Sequence, residues 1–461
     1  MTVPPSQTHP KLVQPGGSGG ALPPSAPGRP EVWGGLECSV VRVGAGLRDQ
    51  FRETGHHDRG SADLEAVAGI GIRTLRYPVS WERVAPDDPA ECDWAWHDAR
   101  LSDLSRLGIT PIVGLVHHGS GPAYTSLLDP RFPDKLAEYA ARVARRYPWV
   151  ENWTPVNEPL TTARFSGLYG HWFPHRRSED EFIRMVAIQC RGVLLAMRAV
   201  RREVPHARLV QTEDLGRTFA TAKLQYQADH ENERRWLSLD LLNGRIDRAH
   251  PWYPKLLAAG VPEAELEDFL SGDLAPMTLG FNYYITSERF LDHRAALYPP
   301  ATHGGNGRHS YADTEAVRAP MPLDRMGWSP RLRDAWERYP GVPLAVTEAH
   351  IGCTPDEQAR WLLGCWRAVE ALRAEGADIR AVTVWTLFGA VDWCSLLTRR
   401  EGRYEPGAFD AGVPGAAPRP TLLAEAVAAL ARDGSFDHPS LQGPGWWERE
   451  DRVHAALRHA G

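Results

Sequence analysis

From Glu31 onward, short apolar runs alternate with longer stretches in which apolar residues recur every three or four positions. The short runs have strand length and are rich in β-branched and aromatic residues. The longer ones have the period of an amphipathic helix. This pattern predicts strands at 31–43 (EVWGGLECSVVRV), 72–80 (IRTLRYPVS), 110–118 (TPIVGLVHH), 150–159 (VENWTPVNEP), 207–214 (ARLVQTED), 277–286 (MTLGFNYYIT), 342–348 (VPLAVTE) and 378–389 (DIRAVTVWTLFG). Helices are predicted at about 59–69, 95–108, 132–146, 179–203, 330–338, 355–375 and 420–432, and 230–270 reads as mostly helical. The Gly-, Pro- and His-rich stretch 291–328 reads as a loop.

Eight strands alternating with helices imply parallel strands joined by right-handed crossovers. Over about 400 residues, that favours a single closed (β/α)8 TIM barrel, residues 31–432, over an open doubly wound sheet. The VRVGAG at 41–46 lacks the third glycine and the following helix of a dinucleotide-binding turn. Residues 1–30 are Pro-, Gly- and Ser-rich without the apolar core of a signal peptide, which predicts a disordered N-terminal tail. Residues 433–461 form a short C-terminal extension outside the repeat, and Trp446 and Trp447 within it read as packing residues.

Composition narrows the function classes. The net charge of -6 is mild, and acidic and basic residues are interspersed, so neither a nucleic acid nor a membrane surface is an expected partner. No apolar run approaches the roughly 18 residues of a membrane span. Six scattered cysteines form no CxxC pair and no disulfide framework, so a reducing, cytoplasmic setting is expected. Neither HExxH nor a His/Asp cluster with metal spacing is present, and no metal or cofactor is expected. The sequence leaves the oligomeric state open.

In such a barrel the active site lies at the C-terminal ends of the strands. Those ends carry Arg76, His117 with His118, Asn157 with Glu158, Glu213 with Asp214, Asn282 and Tyr284, Glu348, and Trp385 followed by Asp392 and Trp393. Glu348 closes an apolar strand, where a charge is costly unless it is paired or used. Glu158 and Glu348 end the fourth and seventh strands, which face each other across the mouth. Two carboxylates across a cleft are the minimal equipment for splitting a glycosidic bond. Aromatic residues suit the faces of sugar rings, and His, Asn and Asp suit their hydroxyls. Asn282 and Tyr283 read as barrel support.

At these residues the chain resembles glycoside hydrolase family 1, the β-glucosidase family. WTPVNEP (153–159) resembles its acid/base signature T-x-N-E-P, and AVTEAHIG (345–352) its nucleophile signature I-T-E-N-G. LRYPVSWERV (75–84), LGFNYY (279–284), VWTLFGAVDW (384–393) and DEQARWL (356–362) resemble further motifs in the family's order. The resemblance implies Glu158 as general acid/base with a raised pKa, and Glu348 as an ionised nucleophile beside Arg76 and Tyr284. It implies retention of configuration, with carboxyl groups roughly 5–5.5 Å apart. Asn157 would bond the sugar 2-hydroxyl. His117, Asp392 and Trp393 would bind other glycone hydroxyls, and Trp385 would lie under the ring.

The departures are equally specific. Ala349-His350 stands where the family has Asn-Gly, and His118 replaces a sugar-contacting aromatic. Asp392 replaces a glutamate. The family's first-strand glutamine is missing: Val41 lies near its place and Glu37 offers a different polar group earlier. The expected function is therefore a retaining glycosidase with a rewritten glycone pocket, acting on a small β-glycoside. A biosynthetic transglycosidase and a non-catalytic sugar- or partner-binding barrel are the alternatives.

Overall fold

A computed structural model describes residues 28–458 apart from Pro276 and Pro414. The expected N-terminal tail lies almost wholly outside the described residues. Eight parallel strands close into a barrel: β1 (Glu31–Gly35), β2 (Thr74–Pro78), β3 (Thr110–His117), β4 (Asn152–Asn157), β5 (Arg208–Asp214), β6 (Met277–Tyr283), β7 (Leu344–Ala349) and β8 (Ile379–Val384). Each pairs with its sequence neighbours, and β1 closes on β8. The TIM barrel expected from the alternation is the observed fold.

The strands are buried on both sides, so they carry apolar residues in both directions. Outward, Leu75, Val113, Trp153, Leu209, Phe281 and Val346 pack into one continuous core with the helices. Inward, Trp33, Ile112, Val210, Ala345 and Ala381 form a separate apolar cluster that plugs the barrel. Polar inward positions therefore collect toward the strand ends.

Several helices fall where the periodicity places them. Phe132–Arg146 and Glu179–Glu203 match the expected bounds. The latter starts at Ser178, whose hydroxyl accepts the Glu181 N–H, and its first turn holds three acids that complement the helix dipole. Three expectations need correction. The first strand does not run through 43: the chain leaves the barrel after Gly35, and Val40–Val43 pairs instead with Gly46–Asp49 in a hairpin. Gly35 marks the exit because a Cβ there would sit 2.5 Å from the Trp385 ring. The fourth strand stops at Asn157, since Glu158 turns into the left-handed region. The stretch read as a loop at 291–328 contributes strands to a small sheet of Thr218–Ala220, Arg289–Asp292, Ser310–Glu315 and His303–Gly305. The C-terminal extension folds back on the barrel wall. Trp447 meets Trp361 edge-on at 5.0 Å, and the Arg452 guanidinium caps the carbonyls of Val317, Ala319 and Met321.

Candidate active site

Glu158 sits at the sharp corner where β4 becomes the short helix Pro159–Ala163. Its backbone is left-handed (φ 47, ψ 66), which costs a non-glycine residue about 1–2 kcal/mol. Pro159 disfavours the right-handed helical conformation at the residue before it and is itself well placed at the first helical position. Glu213, at the end of β5, braces the corner: its carboxylate accepts the N–H groups of Leu160 (2.8 Å) and Thr161 (3.3 Å) and the Ser238 hydroxyl (2.7 Å). The strain therefore fixes the direction in which Glu158 points.

The two carboxylates have different neighbours. Glu348 Oε1 accepts from Arg76 Nη1 at 2.8 Å, and Oε2 accepts from the Tyr284 hydroxyl. Glu158 Oε1 accepts from Asn282 Nδ2 at 2.6 Å, and Oε2 lies 3.7 Å from His118 Nε2. Glu158 and Glu348 are 4% and 2% exposed, so water solvates neither well. Burial raises the pKa of both. Glu158 is pushed well above the usual carboxylate range by burial and then by the charge of Glu348. Burial also lifts Glu348, but Arg76 and the Tyr284 hydrogen bond oppose it. The arrangement favours a proton on Glu158 and a charge on Glu348.

Two bridges tie the carboxylates together through their chain neighbours. Arg76 Nη1 also donates to the Thr347 carbonyl (2.7 Å), while Nη2 donates to Asn157 Oδ1 (2.7 Å). Asn282 spans the other way, accepting the Thr347 hydroxyl at 2.7 Å while donating to Glu158. Asn157 Oδ1 is thus committed to Arg76 and to Thr212 Oγ1 (2.8 Å), and its Nδ2 faces His117 Nε2 and His118 Nε2 at 3.3 and 3.4 Å. A neutral imidazole can accept from that amide. Burial does keep both histidines neutral, taking His118 down to about 3 and His117 well below its ordinary value.

The sugar-facing positions are partly redistributed. Trp385 follows β8 and is 3% exposed; His117 stacks parallel to it at 5.5 Å and the Arg76 guanidinium lies 4.9 Å from its ring centre. Its role in this structure is to back those two groups, and little open face remains for a sugar ring. His118 is wedged between Trp172 (5.2 Å) and Trp393 (5.5 Å). Asp392 is not where a hydroxyl-binding acid is expected. Its Oδ2 accepts from Arg48 Nη2 (3.0 Å) and the Glu401 N–H (3.1 Å), and its Oδ1 from the Arg403 N–H (2.8 Å). An aspartate is one methylene shorter than the family's glutamate, and this carboxylate is consumed by its own loop. Glu37 lies next to the site: its N–H donates to Thr386 Oγ1 (2.7 Å), the residue after Trp385, and the charge of Glu348 adds to the burial that raises its pKa.

His350 explains the Ala-His that replaces Asn-Gly. Its Nδ1 faces the Trp385 carbonyl (2.8 Å) and its Nε2 faces Glu405 (2.9 Å). Burial opposes the charged form, but Glu405 and the Trp385 carbonyl outweigh it and raise the pKa. The residue fastens β7 to β8 directly behind the Glu348 corner.

Sequence reasoning missed four participants. Asn282 was assigned to barrel support, although the alternation along β6 gives it an inward direction, opposite to Phe281 and Tyr283. Arg48 and Glu405 lie on short strands outside the barrel and Trp172 on a loop, where no periodicity announces a partner. Among the described residues, no group of three or more His, Cys, Asp or Glu could hold a metal ion, and no helix is long and apolar enough to cross a membrane.

A closed parallel barrel with two unlike carboxylates at its C-terminal mouth defines the glycosidase class. Glycosyl hydrolase family 1 matches residues 53–404, and the chain belongs to that family. It is 23% identical over 385 residues to Beta-glucosidase 47 of Arabidopsis thaliana, covering 76% of this chain and 71% of the relative. It is 29% identical over 389 residues to Beta-glucosidase 4 of Oryza sativa subsp. japonica, covering 75% and 79%. Among solved structures, the family 1 β-glucosidase from Thermotoga maritima aligns with a TM-score of 0.67 at 16% identity, over 90% of this chain and 100% of that one. The same enzyme in complex with deoxynojirimycin aligns with a TM-score of 0.68. The protein is a glycosidase, and the low identities fit a divergent member.

Proposed function

We propose that the protein is a retaining β-glycosidase working by double displacement, with Glu348 as nucleophile and Glu158 as acid/base. The observation that carries the reading is the unequal treatment of the two carboxylates: one is met by a guanidinium and a phenol, the other by an amide and a neutral imidazole. Glu158 donates its proton to the leaving oxygen while Glu348 attacks the anomeric carbon. Glu158 then takes a proton from water as the glycosyl–enzyme ester is hydrolysed. Arg76 and Tyr284 hold the nucleophile, and Asn157 presents its amide to the sugar 2-hydroxyl. The near-sealed pair supports a small substrate with a single glycone ring. All six cysteines stand unpaired, which supports a reducing, cytoplasmic location.

Chemical rescue tests the assignment. Glu348→Gly should lose turnover of aryl β-glycosides by roughly 10⁴-fold or more, and azide should restore it with an α-glycosyl azide as product. Glu158→Ala should be rescued by azide to the β-glycosyl azide. Undiminished turnover in Glu348→Gly, or rescue with the opposite stereochemistry, would overturn the roles.

A further inference from the structure

Glu37 is another buried carboxyl near the pair, and the proposed chemistry does not use it. The chain after β1 is pinned by the Glu37 N–H, which donates to Thr386 Oγ1 at 2.7 Å, next to Trp385. The side chain is 5% exposed. Its Oε1 accepts the Ser39 N–H at 2.9 Å, while Oε2 has no hydrogen bond to the described residues. The Trp393 indole lies alongside and helps restrain its pKa, although that N–H makes no bond of good geometry.

No cation answers Glu37. Arg76 is committed to Glu348 and Asn157, Arg48 to Glu53 and Asp392, and His350 to Glu405. His117 and His118 are kept neutral by burial. Glu37 forms no ion pair among the described residues, whereas Glu348 has one. The charge that bears on it is the like charge of Glu348, which raises its pKa further. A buried carboxylate without a counter-charge is costly. If this position served only sugar hydroxyls, a neutral amide would offer a donor and an acceptor without that cost. The other rim acids outside the pair are engaged: Asp392 by its own loop and Arg48, Glu213 by the Leu160 and Thr161 N–H groups and the Ser238 hydroxyl, and Asp214 by Arg164 at 4.0 Å.

We propose that the glycone accepted here carries a basic amine, and that Glu37 is the carboxylate that recognises it. The substrate class is then an amino-deoxy β-glycoside whose ammonium group completes an ion pair inside the pocket. This rests on the glycosidase reading of the site, and concerns which sugar enters rather than how its bond is cut. A charge-assisted hydrogen bond in a desolvated site is worth roughly 10- to 100-fold in affinity. The carboxyl, raised to about 7 by burial, becomes fully ionised when the ammonium arrives.

The test is binding, independent of turnover. Methyl β-glucoside and its 2-, 3-, 4- and 6-amino-deoxy analogues are titrated calorimetrically into the wild-type protein, Glu37→Gln and Glu37→Asp at pH 7.5. The expected result is that one amino isomer binds wild type about 10-fold or more tighter than the glucoside, and that Glu37→Gln brings the ratio of the two affinities to within about twofold. Glu37→Asp, which keeps the charge, should retain part of it. Glucoside binding at least as tight as every amino isomer overturns the inference, and that comparison needs no variant. So does an amine preference that survives in Glu37→Gln. Turnover that persists in Glu348→Gly would instead overturn the reading of the catalytic pair, so the two failures are distinguishable.

Discussion

Glu158 and Glu348 are the same residue type, and their different neighbours support the proposed division of labour between them. That division has a pH signature. Activity should follow a bell in kcat/KM, its acid limb set by protonation of Glu348 and its alkaline limb by loss of the proton from Glu158. With an activated aryl leaving group, which departs without a proton, Glu158→Gln should flatten the alkaline limb while leaving the acid limb in place. A pH–rate profile of the two proteins checks this. Burial of acids also has a sign for stability. Glu37 is raised from 4.5 to about 7, so between those values the native state holds a proton that the unfolded chain has released. Stability therefore falls as pH rises through that window and stays lowered above it. Glu37→Gln should be more stable than wild type at pH 8, by about 3 kcal/mol at most, and the gain should vanish near pH 4. Thermal melts at the two pH values decide it; equal melting temperatures at pH 8 would show that the carboxyl is not held in a costly environment.

At the level of elements, the barrel strands were legible because each is buried on both faces and cannot be mistaken for a surface strand. Glu158 and Glu348 were legible because a charge ending such a strand demands a reason. What could not be read was where a side chain turns once the strand has ended. Asp392 stands in the expected motif, but the loop 392–405 closes on it and takes its carboxylate away from the cavity. Gly35, the last residue of β1, has to be a glycine because a Cβ there would lie 2.5 Å from the Trp385 ring, and that contact comes from the other end of the chain. The same loop is locked by Arg48, which bonds Glu53, Asp392 and the carbonyls of Leu397 and Arg399 at once. Arg48 touches no carboxylate of the catalytic pair, so its role is to position the loop that carries Trp393. Arg48→Met should raise KM by roughly 10-fold with a smaller change in kcat, and Arg48→Lys should not rescue it, since an ammonium cannot reproduce a four-way planar fork. Steady-state kinetics separate the two parameters; a loss confined to kcat would move Arg48 into the chemistry.

Across the whole molecule, the cost of the site is offset by packing outside it. The C-terminal mouth collects Glu37, Glu158, Glu213 and Glu348, all buried, with Arg76 as the counter-charge bonded directly to Glu348. Such a mouth lowers stability, and the apolar plug, the helix layer and the folded-back extension offset it. The extension contributes through contacts with the helix after β7 and with the segment 317–321: Trp447 on Trp361, Arg449 with Glu357, and Arg452 on the carbonyls of Val317, Ala319 and Met321. It should therefore affect the melting of the protein and not its chemistry. Trp447→Ala removes an edge-on aromatic contact and a half-buried ring, and should cost about 1–3 kcal/mol. It should leave kcat/KM at 25 °C within twofold of wild type, because no described residue of the extension bonds to Glu158, Glu348 or Asn157. Urea denaturation gives the first quantity and aryl-glycoside turnover the second. A folded Trp447→Ala protein with undiminished stability but impaired turnover would show instead that the extension shapes the route by which substrate reaches the mouth.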